Sequence, residues 1–224
     1  MKHAALGRQL GYQFAQPQLL QRALTHRSYS TAHNERLEFL GDSVLNCTIA
    51  KYLYDTYPDM PEGDLSRLRA SLVNQQTLAI LAQQLNLGEC LLLGEGERKS
   101  GGHNRPSILA DALEALFGAV LLDTDFAAAE KVVLGLYVPF IAKTDLRALG
   151  KDAKTLLQEL LQGRKLALPQ YSVVQIKGEA HAQTFVVSCE IARAGVTTQG
   201  EGASRRIAEQ VAAERAYQQL KHIS

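Results

Sequence analysis

Ile108–Leu122, ILADALEALFGAVLL, is an apolar run interrupted by only two polar side chains, Asp111 and Glu114. Pro106 stands where such a helix starts, and a helix apolar on nearly every face is buried on all sides. Asp111 and Glu114 stand three positions apart, so both leave the same face. An ionised carboxylate in such surroundings is very costly unless a cation meets it. Whatever this chain folds into must therefore enclose Ser107–Leu122 and bring a cation to that face. Two kinds of cation answer the requirement: a buried arginine, with Arg36, Arg67 and Arg69 as candidates, or a metal ion.

A second acidic group sits upstream. In Asn34-Glu-Arg-Leu-Glu-Phe-Leu-Gly-Asp-Ser, residues Glu35, Glu38 and Asp42 fall at i, i+3 and i+7 of a helix expected over Asn34–Tyr57. Taken alone they read as a solvated helix face. Gly41 lies between them, where a helix loses roughly 1 kcal/mol relative to alanine, so another helix or a ligand is expected to approach closely. If the two helices cross, Glu38, Asp42, Asp111 and Glu114 converge. The Glu-x-x-His pairing of di-iron bundles is missing, which argues against redox iron. A donor set of carboxylates alone suits Mg²⁺ or Mn²⁺.

Around these helices the first part of the chain reads as helix after helix, with further segments at Glu62–Val73, Gln75–Leu87 and Phe126–Ala142. Gly88 is expected to stop the Gln75–Leu87 helix, Gly88–Lys99 to be irregular, and Ser100-Gly-Gly-His-Asn to be a flexible loop. No apolar stretch is long enough to span a bilayer, and the start lacks a secretory signal. The three cysteines, Cys47, Cys90 and Cys189, are widely spaced without CxxC or Cys/His pairing, as expected of reduced thiols in a cytoplasmic protein.

After Ala142 the pattern changes. Lys143–Gly150 is polar and glycine-terminated, Asp152–Gln162 is helical with Asp152 as N-cap, and Tyr171–Lys177 and Thr184–Ile191 are β-rich runs separated by a turn at Gly178. Gly195–Gly200 gives a shorter strand and Ser204–Leu220 an alanine-rich helix. The expected architecture is an all-α domain over 1–145, a linker over 146–151, and an α+β domain of order α-β-β-β-α over 152–224. Residues 151–224 carry 10 basic and 7 acidic side chains, against 14 and 16 upstream, so the tail is mildly basic. On its first helix Thr155, Gln158 and Gln162 form a polar stripe. Ser204 can cap the last helix, where Arg205 and Arg206 flank a positive N-terminus suited to phosphate.

At these residues the chain resembles the ribonuclease III family. The run Asn34–Ser43 is its long signature; Thr25-His-Arg-Ser, Arg69-Ala-Ser-Leu-Val and Asp111-x-x-Glu114 fit it as well, and the tail is similar to a double-stranded RNA-binding domain. The resemblance implies Mg²⁺ (or Mn²⁺) held by Glu38, Asp42, Asp111 and Glu114, with Asp42 and Glu114 the positions usually called active-site residues. Glu35 and Glu62 match further acidic positions, and Phe39 an apolar residue of the family's homodimer interface. It also implies RNA contacts from Lys154, Thr155, Gln158, Glu159 and Gln162, from His181 in the turn between the first two strands, and from Arg205 and Arg206. Glu209 departs from the pattern, standing where a third base is frequent. Thr25 and His26 are expected to be packing or helix-start residues. The implied reaction is endonucleolytic hydrolysis of double-stranded RNA to 5′-phosphate and 3′-hydroxyl ends with two-nucleotide 3′ overhangs. In the family's bacterial members it acts on precursors of ribosomal, messenger and transfer RNA. Two other classes remain: a dsRNA-binding dimer whose nuclease half is inactive, and a small-molecule phosphohydrolase, which leaves the basic tail without a task.

Overall fold

The computed structural model of the chain describes residues 2–144, 153–178 and 183–221. It divides into two compact units, Met1–Gly150 and Lys151–Ser224. The expected linker over 146–151, the Asp152 cap and His181 lie outside the described residues.

The first unit is helical: α1 (Lys2–Leu10), α2 (Pro17–Ala23), α3 (Glu35–Thr56), α4 (Glu62–Leu72), α5 (Gln75–Gln84), the short α6 (Glu95–Lys99), α7 (Pro106–Asp123) and α8 (Phe126–Ala142). The apolar α7 is its axis. It buries eleven residues, Ile108 to Val120, and packs against α3, α5, α2 and α8. Pro106 opens it as expected, since its fixed φ suits a first helical position where no N–H is needed. Side-chain caps start two neighbours: Asn74 accepts from the Thr77 N–H at 2.9 Å and Asp125 from the Ala128 N–H at 2.8 Å.

Helices α3 and α7 meet glycine against glycine. A methyl on Gly41 would overlap the carbonyl oxygen of Glu114, and one on Gly118 would overlap that of Leu37. The close approach expected from Gly41 is thus that of another helix. Gly88 has a different role from the one expected. Helix α5 already ends at Gln84, with Asn86 left-handed (φ 51°), and Gly88 lies in a 3₁₀ turn, Leu87–Cys90, against the carbonyl of His103. The glycine answers a tertiary contact that local spacing cannot show. Residues expected to be irregular or flexible are also more ordered: α6 and a 3₁₀ turn, Gly102–Asn104, lead into α7. Thr25 follows α2 instead of starting a helix, buried and bridged to Leu92.

The second unit runs α9 (Ala153–Gly163), β1 (Gln170–Lys177), β2 (Thr184–Ile191), β3 (Val196–Gly202) and α10 (Arg205–Lys221). Its antiparallel sheet has the order β1-β2-β3, with Val187 opposite Gly200 and a register shift between Val173 and Gln175. Leu157 and Leu161 of α9, Cys189 and Ile191 of β2, and Ala212, Ala213, Ala216 and Leu220 of α10 form its core. The small alanines let α10 lie close to the sheet, where the Thr198 hydroxyl donates to the Ala212 carbonyl at 2.7 Å. This is the all-α plus α-β-β-β-α arrangement expected from the sequence.

Candidate metal centre

The α3–α7 crossing places Glu38 beside Asp111 and Glu114. One oxygen from each lies within 4.8 Å of the other two, and all three side chains are half-buried. Among the described residues no arginine or lysine pairs with any of them within 4 Å. Arg67 instead pairs with Asp64. The three negative groups therefore share one desolvated space, and each is held above its ordinary carboxylate range. Burial pushes Glu114 up to about 8, with the charges of Asp42, Glu38 and Asp111 adding to it. Burial also raises Glu38, with Asp111 next in effect. It raises Asp111 too, against the opposing fields of His26 and Arg27. A divalent cation would relieve all three at once, and oxygen donors at this separation fit a hard ion such as Mg²⁺ or Mn²⁺.

Asp42 stands outside this trio. It is exposed, and its Oδ1 accepts from the Asn46 side chain at 2.8 Å, yet its charge is the largest of those raising Glu114. Glu35 is engaged at the rim by Arg27 at 3.3 Å and His33 at 3.8 Å. Glu62 is exposed in the first turn of α4, where Ser66 donates to it at 2.7 Å. Glu38 and Asp111 open on a cavity of about 630 Å³ whose other walls carry His26, Arg27, Arg105 and Ser107. Arg105 is fixed there by Glu97 at 2.8 Å. His26, expected to be a packing or helix-start residue, lines this cavity beside Arg27 and Arg105, for which the sequence suggests no role. Both arginines pair with carboxylates at the cavity wall, Arg27 with Glu35 and Arg105 with Glu97, a placement that packing decides and spacing does not show. Another cavity, of about 580 Å³ and bordered by Tyr12, Phe14 and Leu20, is lined by no carboxylate.

Phe39, on α3, is 77% exposed and Leu122 54%. Both line a shallow apolar hollow with Leu37 and Leu40. A phenylalanine so exposed is not core.

In the second unit Thr155, Gln158, Glu159 and Gln162 are all exposed on α9, and Arg205 and Arg206 are exposed at the start of α10. Ser204 caps that helix, accepting from the Ile207 N–H at 3.3 Å. Lys154 is placed differently. Its ammonium lies 2.7 Å from Glu209 and 4.5 Å from the centre of the Tyr171 ring. Glu209 also receives Arg205 at 2.8 Å.

Residues 16–141 match the family described as Ribonuclease-III-like, and residues 153–220 match the double-stranded RNA binding motif. The chain is 59% identical to Ribonuclease 3 of Thiobacillus denitrificans over 97% of its own length and 96% of that protein's. It is 57% identical to Ribonuclease 3 of Nitrosomonas europaea, over 96% and 88%. Among solved structures, the nuclease domain of ribonuclease III from Campylobacter jejuni superposes with a TM-score of 0.61 at 43% identity, covering 63% of this chain and 97% of that one.

Proposed function

Because the chain belongs to the ribonuclease III family, endoribonucleases that here join a nuclease domain to a double-stranded RNA-binding domain, we propose that it cuts double-stranded RNA with divalent metal held by Glu38, Asp42, Asp111 and Glu114. The observation that carries this reading is the unpaired trio Glu38–Asp111–Glu114, raised by burial on an otherwise apolar helix. A fold gains no stability from three desolvated carboxylates, and their arrangement makes chemical sense as a cation site.

When loaded, such a site supplies an activated water and neutralises charge on the scissile phosphate and leaving oxygen. The chain's own residues do the rest. Glu114 would give up its proton to bind beside Glu38 and Asp111, and Asp42, one turn beyond Glu38, adds the fourth carboxylate. Glu35 assists from the rim and Glu62 from the first turn of α4. Arg27 and Arg105, facing the same cavity, receive neighbouring phosphates. In the second domain the stripe Thr155, Gln158 and Gln162, with Glu159, meets 2′-hydroxyls of one minor groove, while His181 meets a second. Arg205 and Arg206, at the α10 N-terminus, take phosphates across the intervening major groove.

Phe39 and Leu122 support a homodimer in which two catalytic centres cut opposite strands, leaving 5′-phosphates, 3′-hydroxyls and two-nucleotide 3′ overhangs. Precursors of ribosomal RNA, and some of messenger and transfer RNA, are the substrates this implies, in the cytoplasm. Among the described residues no helix is long and apolar enough to cross a membrane.

The test is a long perfect duplex incubated with the protein in Mg²⁺ or in EDTA, beside the Glu114→Gln variant. Cleavage is expected only for the unaltered protein with Mg²⁺. Duplex retarded on a native gel yet uncut under that condition would favour an inactive RNA-binding dimer. Neither cutting nor retardation would favour a small-molecule phosphohydrolase.

A further inference from the structure

One carboxylate in the second domain is bound by two cations from two helices. Glu209 Oε2 accepts Lys154 of α9 at 2.7 Å, and its Oε1 accepts Arg205, one turn earlier on α10, at 2.8 Å. The Glu209 side chain is only 12% exposed. Next to it, Gln210 accepts the backbone N–H of Lys154 at 3.2 Å, so adjacent α10 residues fasten both the side chain and the main chain of the first α9 turn. The Tyr171 ring of β1 lies beneath the same ammonium at 4.5 Å. Three elements thus meet at Lys154, and only Glu209 among these partners carries negative charge. Its carboxyl is held below the ordinary range, the Lys154 bond contributing most.

We propose that Glu209 is a positioning residue for RNA binding: by tying Lys154 to Arg205 it fixes the spacing between the polar stripe of α9 and the arginines that open α10. This rests on the reading that the domain binds duplex RNA. Without the carboxylate, two cations and the positive end of α10 would face one another, and the start of α9 would be pushed away. Lys154 is then a strut and not a phosphate ligand.

The inference predicts a sign opposite to that of simple electrostatics. Removing a negative charge from a surface that binds a polyanion ordinarily strengthens binding. Loss of a positioning carboxylate weakens it. The full-length chain is titrated with a duplex longer than the roughly 16 bp that one such domain spans, in EDTA to prevent cutting and over a series of salt concentrations. Glu209→Ala, Glu209→Gln, Lys154→Ala and the double alanine variant are compared with the unaltered protein, and each is melted to verify folding. Expected are about fivefold weaker binding for either Glu209 variant and a double variant no weaker than Glu209→Ala. Lys154→Ala should leave the salt slope unchanged. Equal or tighter binding by the folded Glu209 variants overturns the proposal. So does a slope shallower by about 0.9 in Lys154→Ala, because Lys154 would then touch phosphate. If Glu209→Ala unfolds, Glu209→Gln keeps the volume and carries the same comparison. Failure of the unaltered protein to bind would instead remove the RNA-binding reading, and this inference with it.

Discussion

Gly41 on α3 rests directly against the backbone carbonyl of Glu114 on α7, and Gly118 returns the contact against Leu37. Side chains of ordinary size at these positions would separate the helices. With glycines there, Glu38 on one helix reaches Asp111 and Glu114 on the other. The missing side chains are thus part of the candidate metal centre, although neither glycine carries any of its chemistry.

Gly41→Ala tests this directly. Its methyl would meet backbone, which cannot swing aside as a side chain can, so the loss should be at the upper end for overpacking, about 3 kcal/mol. Urea unfolding of the two proteins measures it, and the midpoint should fall without a large change in slope. The surviving folded fraction should also bind Mg²⁺ less tightly, because the helices are farther apart. A variant within 0.5 kcal/mol of the parent would contradict the close crossing.

The raised carboxylates give metal-free protein an unusual pH dependence. Glu114 titrates near 4.5 when unfolded and near 8 when folded, so between those values the native state holds a proton that the unfolded state has released. Stability therefore falls as pH rises through this window, the reverse of a salt-bridged carboxylate, and the raised Glu38 and Asp111 act in the same direction. Melting temperatures in EDTA should decline from pH 5 to pH 8. Glu114→Gln should flatten that decline and melt higher than the parent at pH 8. A parent whose stability rises across the window would refute the burial argument.

Much of this was legible beforehand. Two carboxylates in the otherwise apolar run Ile108–Leu122 required a cation, and that logic singled out Asp111 and Glu114 without any fold. What it could not settle was arginine against metal. Which of Arg36, Arg67 or Arg69 reaches the helix depends on tertiary packing, and in the fold Arg67 is taken by its own helix neighbour Asp64. His26, Arg27 and Arg105 escaped because they lie on connections between helices, where no periodicity says which cavity a side chain faces. Lys154 read as a surface base because its partner, Glu209, is 55 residues away. Periodicity reports faces, not the partners that distant segments bring to them.

Metal binding should compete with the proton on Glu114. Below about pH 8 each bound ion displaces one proton there, so apparent Mg²⁺ affinity should rise about tenfold per pH unit between 6 and 7 and level off above 8. The rise in melting temperature with Mg²⁺ reports it without any RNA, a hundredfold excess over Kd adding roughly 2.7 kcal/mol. Glu114→Gln should show almost no such stabilisation at any pH. Equal stabilisation of parent and variant would place the ion elsewhere.

At the other domain, Arg206→Ala removes an exposed cation from the start of α10 without touching the Lys154–Glu209–Arg205 network. Duplex binding should weaken and its logarithmic dependence on salt should become shallower by about 0.9. Once RNA is saturating, the rate of cutting should be nearly that of the parent if the scissile phosphate is held by the nuclease domain, as proposed. A lower saturated rate with an unchanged salt slope would show that Arg206 acts on the reaction instead of on the RNA backbone.

Phe39 offers the last comparison. At 77% exposure it costs the monomer little to replace, so Phe39→Asp should leave the melting of a dilute sample nearly unchanged. If the hollow formed with Leu40 and Leu122 is closed by a second copy, burying a carboxylate there is costly and the dimer should dissociate. Sedimentation equilibrium then shows a monomer for Phe39→Asp and a dimer for the parent. Because each subunit would still hold its own carboxylates, the separated variant should bind Mg²⁺ as the parent does. Its duplex cleavage should drop sharply, with single-strand nicks replacing paired cuts. A Phe39→Asp protein that remains dimeric would remove this face from the interface.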